Sequence, residues 1–395
     1  MTRRIAVITT SRADYSHLYW PLRELAACAG IDLRLIALGP HLSPEFGLTV
    51  REIERDGFAL HARLECLLSS DTDVGMAKTI GVAVLSLADC LGALRPDLLL
   101  LIADRYEMLA PAAVALALRI PLAHIEGGEI TAGAIDDAVR NAITKMSHVH
   151  FASTERSRQR IIAMGEEAWR VHRSGAPSLD HLHRGSLPAR AELERSLGME
   201  LRAPTLVAWH PLTLAADTLC ETDALFNALR DVPGQIVFLH PNADAGSRAM
   251  LERIRAFIGA RVDARLFINL EPRSYWALLR EASLFIGNSS SGVMETPSFR
   301  LPCVNVGSRQ DGRERAGSII DVPADERAIA AAVRTASGAA FRESIRSIEN
   351  PYGDGRAAGR IARVLNDIEL GPALLRKAAS HDGVPSAVPS PGSPR

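Results

Sequence analysis

Short apolar runs alternate with longer amphipathic ones along most of the chain. In the first half the short runs are RIAVITT (4–10), LRLIALG (33–39), DLLLLIA (97–103), PLAHIE (121–126), HVHFAS (148–153) and RVHRSG (170–175). Segments such as SHLYWPLRELAACA (16–29) and EMLAPAAVALALR (107–119) separate them. Strands that alternate with helices predict βαβ units and a parallel sheet. After GAPSLDHLHRGSLPAR (175–190) the pattern restarts with TLVAWHP (205–211), QIVFLHPN (235–242), ARLFINL (264–270), SLFIGNSSS (283–291), PCVNVGS (302–308) and SIIDVP (318–323). Two α/β runs of similar size predict two Rossmann-like domains facing a central cleft, with the Pro/Gly/His-rich segment 176–190 as the linker. The expected division is 1–177 for the first domain and 178–355 for the second. The Pro/Ser/Gly-rich tail 376–395 is expected to be disordered.

Composition narrows the function classes. The chain has 395 residues, 45 Lys+Arg against 46 Asp+Glu, and a formal net charge of −1. No global field therefore favours nucleic acid or an anionic membrane. Five dispersed cysteines without a CxxC pair argue against a disulfide framework or a zinc site and fit a reducing cytoplasm. The N-terminus reads as a first strand rather than a signal peptide, and no uncharged apolar run approaches the ~20 residues that span a bilayer. Nearly all basic residues are arginines; the lysines are Lys78, Lys145 and Lys377.

In open parallel sheets ligands bind at the carboxyl ends of strands, so residues that follow the predicted strands carry the most information. Ser11, Arg12 and Asp14 in TTSRADY follow the first strand, where a helix N-terminus would favour an anion. The stretch lacks GxGxxG and GxxxxGK[ST], so nothing in it supports the common dinucleotide or P-loop cradle. Asp104 and Arg105 in ADRYE follow DLLLLI, with Glu107 close behind. In HIEGGEITAGAIDDAVR (124–140), Glu126 follows a strand, Gly127 and Gly128 allow a tight turn, and Asp136, Asp137 and Arg140 open a helix. Glu126 should share a crevice with Asp104, and converging carboxylates push their pKa values apart as acid and base roles require. The Gly-Gly turn would let the backbone pass close to a ligand.

In the second half His210 follows a strand in AWHPLT, and His240 and Asn242 follow another in HPNADAGS. Neither histidine has a partner at metal-ligand spacing, so an anion-holding or proton-transfer role outweighs metal binding. GNSSSGVMETPS (287–298) places Ser289 and Ser290 at a helix N-terminus, with Glu295 one turn on to accept from a ribose diol. Arg309, Arg313 and Arg315 add positive charge. No GxSxG elbow marks a serine nucleophile. A nucleoside diphosphate held on one wall and a sugar on the other would fit these clusters.

The motifs TTSRADY, ADRYE, HIEGGEITAGAIDDAVRNAITKMSHVHF, HPNADAGS, IGNSSSGVMETPS and VNVGSRQDGRERAGSIIDV occur in the order in which they resemble the UDP-N-acetylglucosamine 2-epimerases, from about residue 3 to 372. The hydrolysing branch is the closer match, because the non-hydrolysing branch follows its glutamate with AGLR where this chain has GGEI. The resemblance implies a GT-B-like α/β fold, with the helix 356–375 crossing back to the first domain. It implies anti elimination of UDP across C1–C2 to a 2-acetamidoglucal, then hydration to N-acetylmannosamine for sialic-acid-type synthesis, without a cofactor or metal. Asp104, Glu126, Asp136 and His210 match catalytic positions. Arg12, Arg105, Asn242, Ser289, Ser290, Glu295 and Arg309 match nucleotide-binding positions, and Arg140 an arginine near the sugar or pyrophosphate. A cytoplasmic homodimer or homotetramer is expected, with nucleotide sugar and UDP as the only partners. Two readings stay open beside it: the same chemistry on a UDP- or GDP-linked 2,4-diacetamido-2,4,6-trideoxyglucose, and a GT-B glycosyltransferase.

Overall fold

The computed structural model describes residues 2–378 apart from 71, 132–133, 185, 213–216, 218, 220, 241–245 and 269. The first domain contains strands β1 Arg3–Thr9, β2 Ile31–Leu38, β3 Leu60–Leu64, β4 Leu98–Ile102, β5 Leu122–Ile125, β6 Val149–Ala152 and β7 Val171–Arg173. The second contains β8 Thr205–Ala208, β9 Ile236–Leu239, β10 Ala264–Phe267, β11 Leu284–Gly287, β12 Cys303–Val306 and β13 Ile319–Val322. Among the described residues the first sheet runs β3-β2-β1-β4-β5-β6-β7 and the second β10-β9-β8-β11-β12-β13. Every pairing is parallel. The architecture is that of two Rossmann-like domains in a GT-B-like arrangement.

Each apolar run of the sequence became one of these strands, because a parallel sheet covered by helices buries both faces of a strand. Leu98 to Ile102 are all fully buried, as are Leu122, Ala123 and Ile125. Strand β3, LHARL, carries no such run. It lies at the sheet edge with every second residue exposed, so its sequence alternates and gives no continuous apolar signal. The helix Asp73–Leu94 is long and apolar enough by composition to cross a membrane. Here it lies on the first domain, burying Gly75, Thr79, Ala83, Leu87 and Leu91 at four-residue spacing.

Strand order reverses between β1 and β4 in the first sheet, and between β8 and β11 in the second. These switch points open crevices at the strands' carboxyl ends, and the two crevices face each other. At the second one Gly287 has φ of 150°, and a Cβ there would sit 1.9 Å from the carbonyl oxygen of Ala208 on the neighbouring strand.

The chain passes between the domains twice, and the two passages are bonded together. Ala176 donates its amide to Tyr352 O at 2.8 Å. The Asp180 carboxylate accepts from Ala357 N at 2.7 Å and Ala358 N at 2.9 Å, capping the helix Ala357–Asp367. That helix returns to the first domain, whose core contains Ala357, Ile361, Ala362 and Leu365. Its end is held by Arg3, which donates to Leu365 O at 2.7 Å and Ile368 O at 3.0 Å.

The expected disorder from residue 376 begins too early. Arg170 donates to Leu374 O at 2.7 Å and also to Arg376 O. Lys377 meets the buried carboxylate of Glu166 at 2.8 Å, and Lys145 meets the same carboxylate at 2.6 Å. Residues 379–395 of that expected tail lie outside the described residues.

Gly287→Ala should lower unfolding free energy by about 2–4 kcal/mol, the range of severe strain and overpacking, read as a fall in thermal midpoint. An unchanged midpoint would show that the β8–β11 contact can open without loss.

Candidate active site

The first domain contributes its wall from helix and strand ends. Ser11 caps the helix Arg12–Ala27 by accepting from Asp14 N at 3.4 Å, and the Asp14 carboxylate accepts from Thr10 N at 3.2 Å. The capping reading of this stretch therefore holds, but it does not account for Arg12. One face of this helix, with Arg12, Ala13, Ser16 and His17, lines the cleft. Arg12 reaches across to Ile268 O of the second domain at 3.3 Å.

Two residues bend the adjacent strands β4 and β5 into the cleft. Ala103 and Glu126 follow the two strands directly, and both adopt left-handed backbone, with φ of 58° and 66°. That conformation is uncommon for non-glycine residues and costs of order 1–3 kcal/mol. It turns Asp104 and Glu126 toward the same space. Asp104 accepts from Arg140 and lies 3.9 Å from Arg313. Burial would raise the Asp104 pKa, but Arg140, Arg313 and Arg309 outweigh it and hold this carboxyl below its ordinary range.

Arg140 itself is 1% exposed and sits beneath the site rather than in it. It donates to Asp104 Oδ2, Glu129 O, Thr131 Oγ1 and Asp137 Oδ1. The expectation that it meets the sugar or pyrophosphate gives way to an internal role, since the folded loop already occupies its fork of donors. Asp137 ties the same loop to the helix Asp136–Met146 through Thr131 N at 3.0 Å. Glu129 accepts from Ser157 Oγ.

The Gly-Gly turn also has an internal cause. Gly128 has φ of 76°, and a Cβ there would stand 2.3 Å from Ser157 O. A Cβ on Gly127 would meet Thr144 Oγ1 at 3.0 Å. The close approach is to the protein's own backbone and side chains, and neither glycine lines the cleft.

The second domain supplies cations and one carboxylate. Asn288, just beyond β11, accepts from His210 N at 2.8 Å and donates to His210 O at 2.9 Å, fixing the backbone where β8 ends. Burial and the guanidinium groups of Arg309, Arg105 and Arg12 push the His210 pKa well below its ordinary value, so its ring is neutral. Arg309 donates to Asn288 O at 3.2 Å and to Asp136 Oδ2 at 3.0 Å, joining the second domain to the first. On the first-domain side, Arg105 is oriented by Glu107 at 2.9 Å, which explains the acidic residue that follows it. Ser289 and Ser290 line the cleft, and Glu295 is buried at its floor, accepting from Ser291 Oγ at 2.5 Å. His240 lines the cleft beside Phe46 of the first domain. Asn242 lies outside the described residues.

Of the three loop arginines, Arg309 and Arg313 face the cleft, whereas Arg315 turns away to Asp321 at 3.0 Å. Arg313 reaches Ile130 O and Thr131 Oγ1 at 3.2 Å each, and Arg160 donates to Gly312 O at 2.9 Å. The cleft is thus closed largely by guanidinium groups.

Sequence reasoning missed His17, Asn288 and Tyr275, the last lining the cleft with its hydroxyl on Ser291 Oγ. His17 lies five residues beyond Arg12, not at the three- or four-residue spacing of helix-face neighbours, so placing Arg12 does not by itself flag it. Among the described residues no group of three His, Cys, Asp or Glu side chains is placed to hold a metal. The arrangement offers a dense cation wall for a diphosphate, a buried carboxylate for a diol, and carboxylates on the facing wall for proton transfer.

Known proteins resemble this chain in sequence and in fold. Residues 23–366 match the family model described as UDP-N-acetylglucosamine 2-epimerase. The chain is 38% identical to the GDP/UDP-N,N'-diacetylbacillosamine 2-epimerase (hydrolyzing) of Campylobacter jejuni, covering 81% of this chain and 84% of that protein. It is 35% identical to the UDP-N,N'-diacetylbacillosamine 2-epimerase (hydrolyzing) of Legionella pneumophila, covering 96% of this chain and all of that protein. The fold matches the crystal structure of UDP-GlcNAc 2-epimerase from Neisseria meningitidis bound to UDP-GlcNAc, with a TM-score of 0.77 at 18% identity over 92% of this chain and 99% of that one.

Burial depresses the pKa of His41 to about 3 and of His124 and His181 to about 4, and that of His210 falls too. The unfolded chain therefore binds more protons than the folded one once pH drops below about 6.5. The histidine contribution to unfolding free energy should fall as pH goes from 7 to 4, each such ring adding up to ~1.4 kcal/mol per pH unit, with Glu52, raised by burial to about 7, acting in the opposite sense. NMR titration of the histidine rings in the folded protein tests this, and rings that protonate near 6.5 would remove the contribution.

Proposed function

The chain belongs to the UDP-N-acetylglucosamine 2-epimerase family, and on that footing we propose a hydrolysing 2-epimerase whose donor is a nucleoside-diphosphate-linked 2,4-diacetamido-2,4,6-trideoxyhexose. The observation that carries the reaction type is the convergence of Asp104, Glu126 and Asp136 with Arg12 and Arg105 of the first domain and Arg309 and His210 of the second in one cleft. The donor rests on the Campylobacter and Legionella proteins, both named for diacetylbacillosamine. They favour the modified sugar over the N-acetylglucosamine that the motifs first suggested.

In this reading the diphosphate meets the guanidinium groups and the neutral His210, whose one ring N–H is able to donate a hydrogen bond as negative charge builds on the leaving oxygen. Glu295 accepts from the ribose diol. The C2 hydrogen is weakly acidic, so a carboxylate must be aimed at it as the C1–O bond breaks; positioned general bases contribute about 10²–10⁴-fold. Elimination leaves a C1=C2 double bond and releases the nucleoside diphosphate. Water then adds at C1 while a proton returns to C2 on the opposite face, giving the manno-configured sugar. Asp104, Glu126 and Asp136 share these proton transfers. The bridges Arg309–Asp136 and Arg313–Thr131 keep bulk water from the glycal intermediate. A glycosyltransferase would need the cation wall but has no use for this carboxylate cluster.

Incubation in D2O with UDP-diacetylbacillosamine, GDP-diacetylbacillosamine or UDP-GlcNAc, followed by NMR, tests both parts. Expected are free nucleoside diphosphate and a manno-configured product deuterated at C2, formed fastest from a diacetamido donor. Release of an unlabelled gluco-configured sugar would sink the elimination, and faster turnover of UDP-GlcNAc would reverse the donor assignment. Asp104→Asn and Glu126→Gln should each cut turnover by about 10²–10⁴-fold while UDP still binds in calorimetry.

A further inference from the structure

His17 stands between the two walls. Its Nδ1 lies 2.9 Å from Glu126 Oε1, and its Nε2 lies 3.6 Å from Glu295 Oε1. Glu126 belongs to the first domain and faces the sugar side in the proposed reaction. Glu295 belongs to the second domain and takes the ribose. A neutral imidazole can donate from one nitrogen alone, whereas an imidazolium donates from both, and here both nitrogens face carboxylates. We infer that His17 is a positioning residue that couples the two domains, its imidazolium aiming the Glu126 carboxylate while it pairs with the nucleotide-side Glu295. This rests on the reading of Glu126 and Glu295 given above.

The surroundings favour the charged ring. Burial alone would lower the His17 pKa, but Glu126, then Glu295 and Asp14, outweigh it and raise it to about 9. His181 is the neighbouring titratable group on the linker side, and its own pKa is pushed down to about 4, so it adds no competing charge near neutrality. Burial pushes Glu295 upward despite His17, so the shorter contact with Glu126 is the one that keeps the ring protonated. The left-handed backbone at Glu126 fixes where its side chain leaves the strand, and His17 fixes where it ends. Occupation of Glu295 by a ribose diol would leave the imidazolium to Glu126 alone, so that binding of the nucleotide half reaches the group facing the sugar half.

The test compares His17→Gln and His17→Lys with the unmodified protein, using UDP for binding and the donor turned over in the D2O assay for kcat. His17→Gln should lower kcat about 10–100-fold, the scale of a misaimed general base, with UDP affinity falling by no more than about 5-fold. His17→Lys, which restores a cation, should recover most of kcat. The basic limb of the pH–kcat profile should sit near 9 in the unmodified protein, move upward with lysine and vanish with glutamine. Unchanged kcat in His17→Gln, equal losses of kcat and UDP affinity, or a lysine variant as poor as glutamine would each overturn the inference. If no donor is turned over, the reaction assignment fails separately. UDP affinities of His17→Gln, Glu295→Gln and the double variant then decide: non-additivity of about 5-fold or more supports the coupling, and additivity refutes it.

Discussion

The candidate site depends on one buried guanidinium. Arg140 is nearly sealed from solvent, and a buried charge without partners would be severely destabilising. Its partners are the Asp104 carboxylate, the Asp137 carboxylate, the Glu129 carbonyl and the Thr131 hydroxyl, drawn from a strand end, a helix start and the loop between. The fold of the loop and the charge of Asp104 are thus set by the same ion. Because a guanidinium does not lose its proton, this wall keeps its charge pattern across the pH range in which the histidines titrate. Removing one side of such a pair typically costs about 3–5 kcal/mol, since the other charge is left buried.

On this base the two walls acquire opposite characters. The first presents carboxylates bent inward by left-handed residues at neighbouring strand ends. The second presents arginines gathered around a strand end locked by Asn288. Histidines on the two walls illustrate the competition that governs a closed cleft. His210, among arginines, is driven neutral; His17, between glutamates, is driven charged. The same burial acts on both, and the sign of the nearest charges decides the outcome.

Much of this was legible in the chain. Continuous apolar runs marked strands covered on both faces, and the rule that ligands gather at carboxyl ends pointed to Asp104, Glu126 and His210 before any coordinates. The alternating edge strand β3 was not legible, because its burial is one-sided. Arg140 was visible as a residue of interest, but nothing local distinguishes a guanidinium above a pocket from one beneath it. The glycine pair showed that backbone had to pass closely by something, and only the fold revealed Ser157 as the neighbour. Arg309 and Arg315 look alike in a basic loop, yet one bridges to Asp136 and the other turns to Asp321. His17 escaped notice because its partners are 109 and 278 positions away (126 − 17 and 295 − 17), separations that no local pattern encodes.

The two bonded passages between the domains have a mechanical consequence. With segments near Ala176 and Tyr352 tied side by side, the connection behaves as a hinge with two pins rather than a single tether. A single tether would permit twisting and sliding as well as opening; two pins restrict the motion to one axis. Any separation of the opposing walls would have to follow that axis and would return them to the same registry. The arrangement also makes the first domain discontinuous in sequence, so no single cut of the gene separates the halves cleanly. Any truncation before Ala357 would strip a helix from the core of the domain at the other end of the chain.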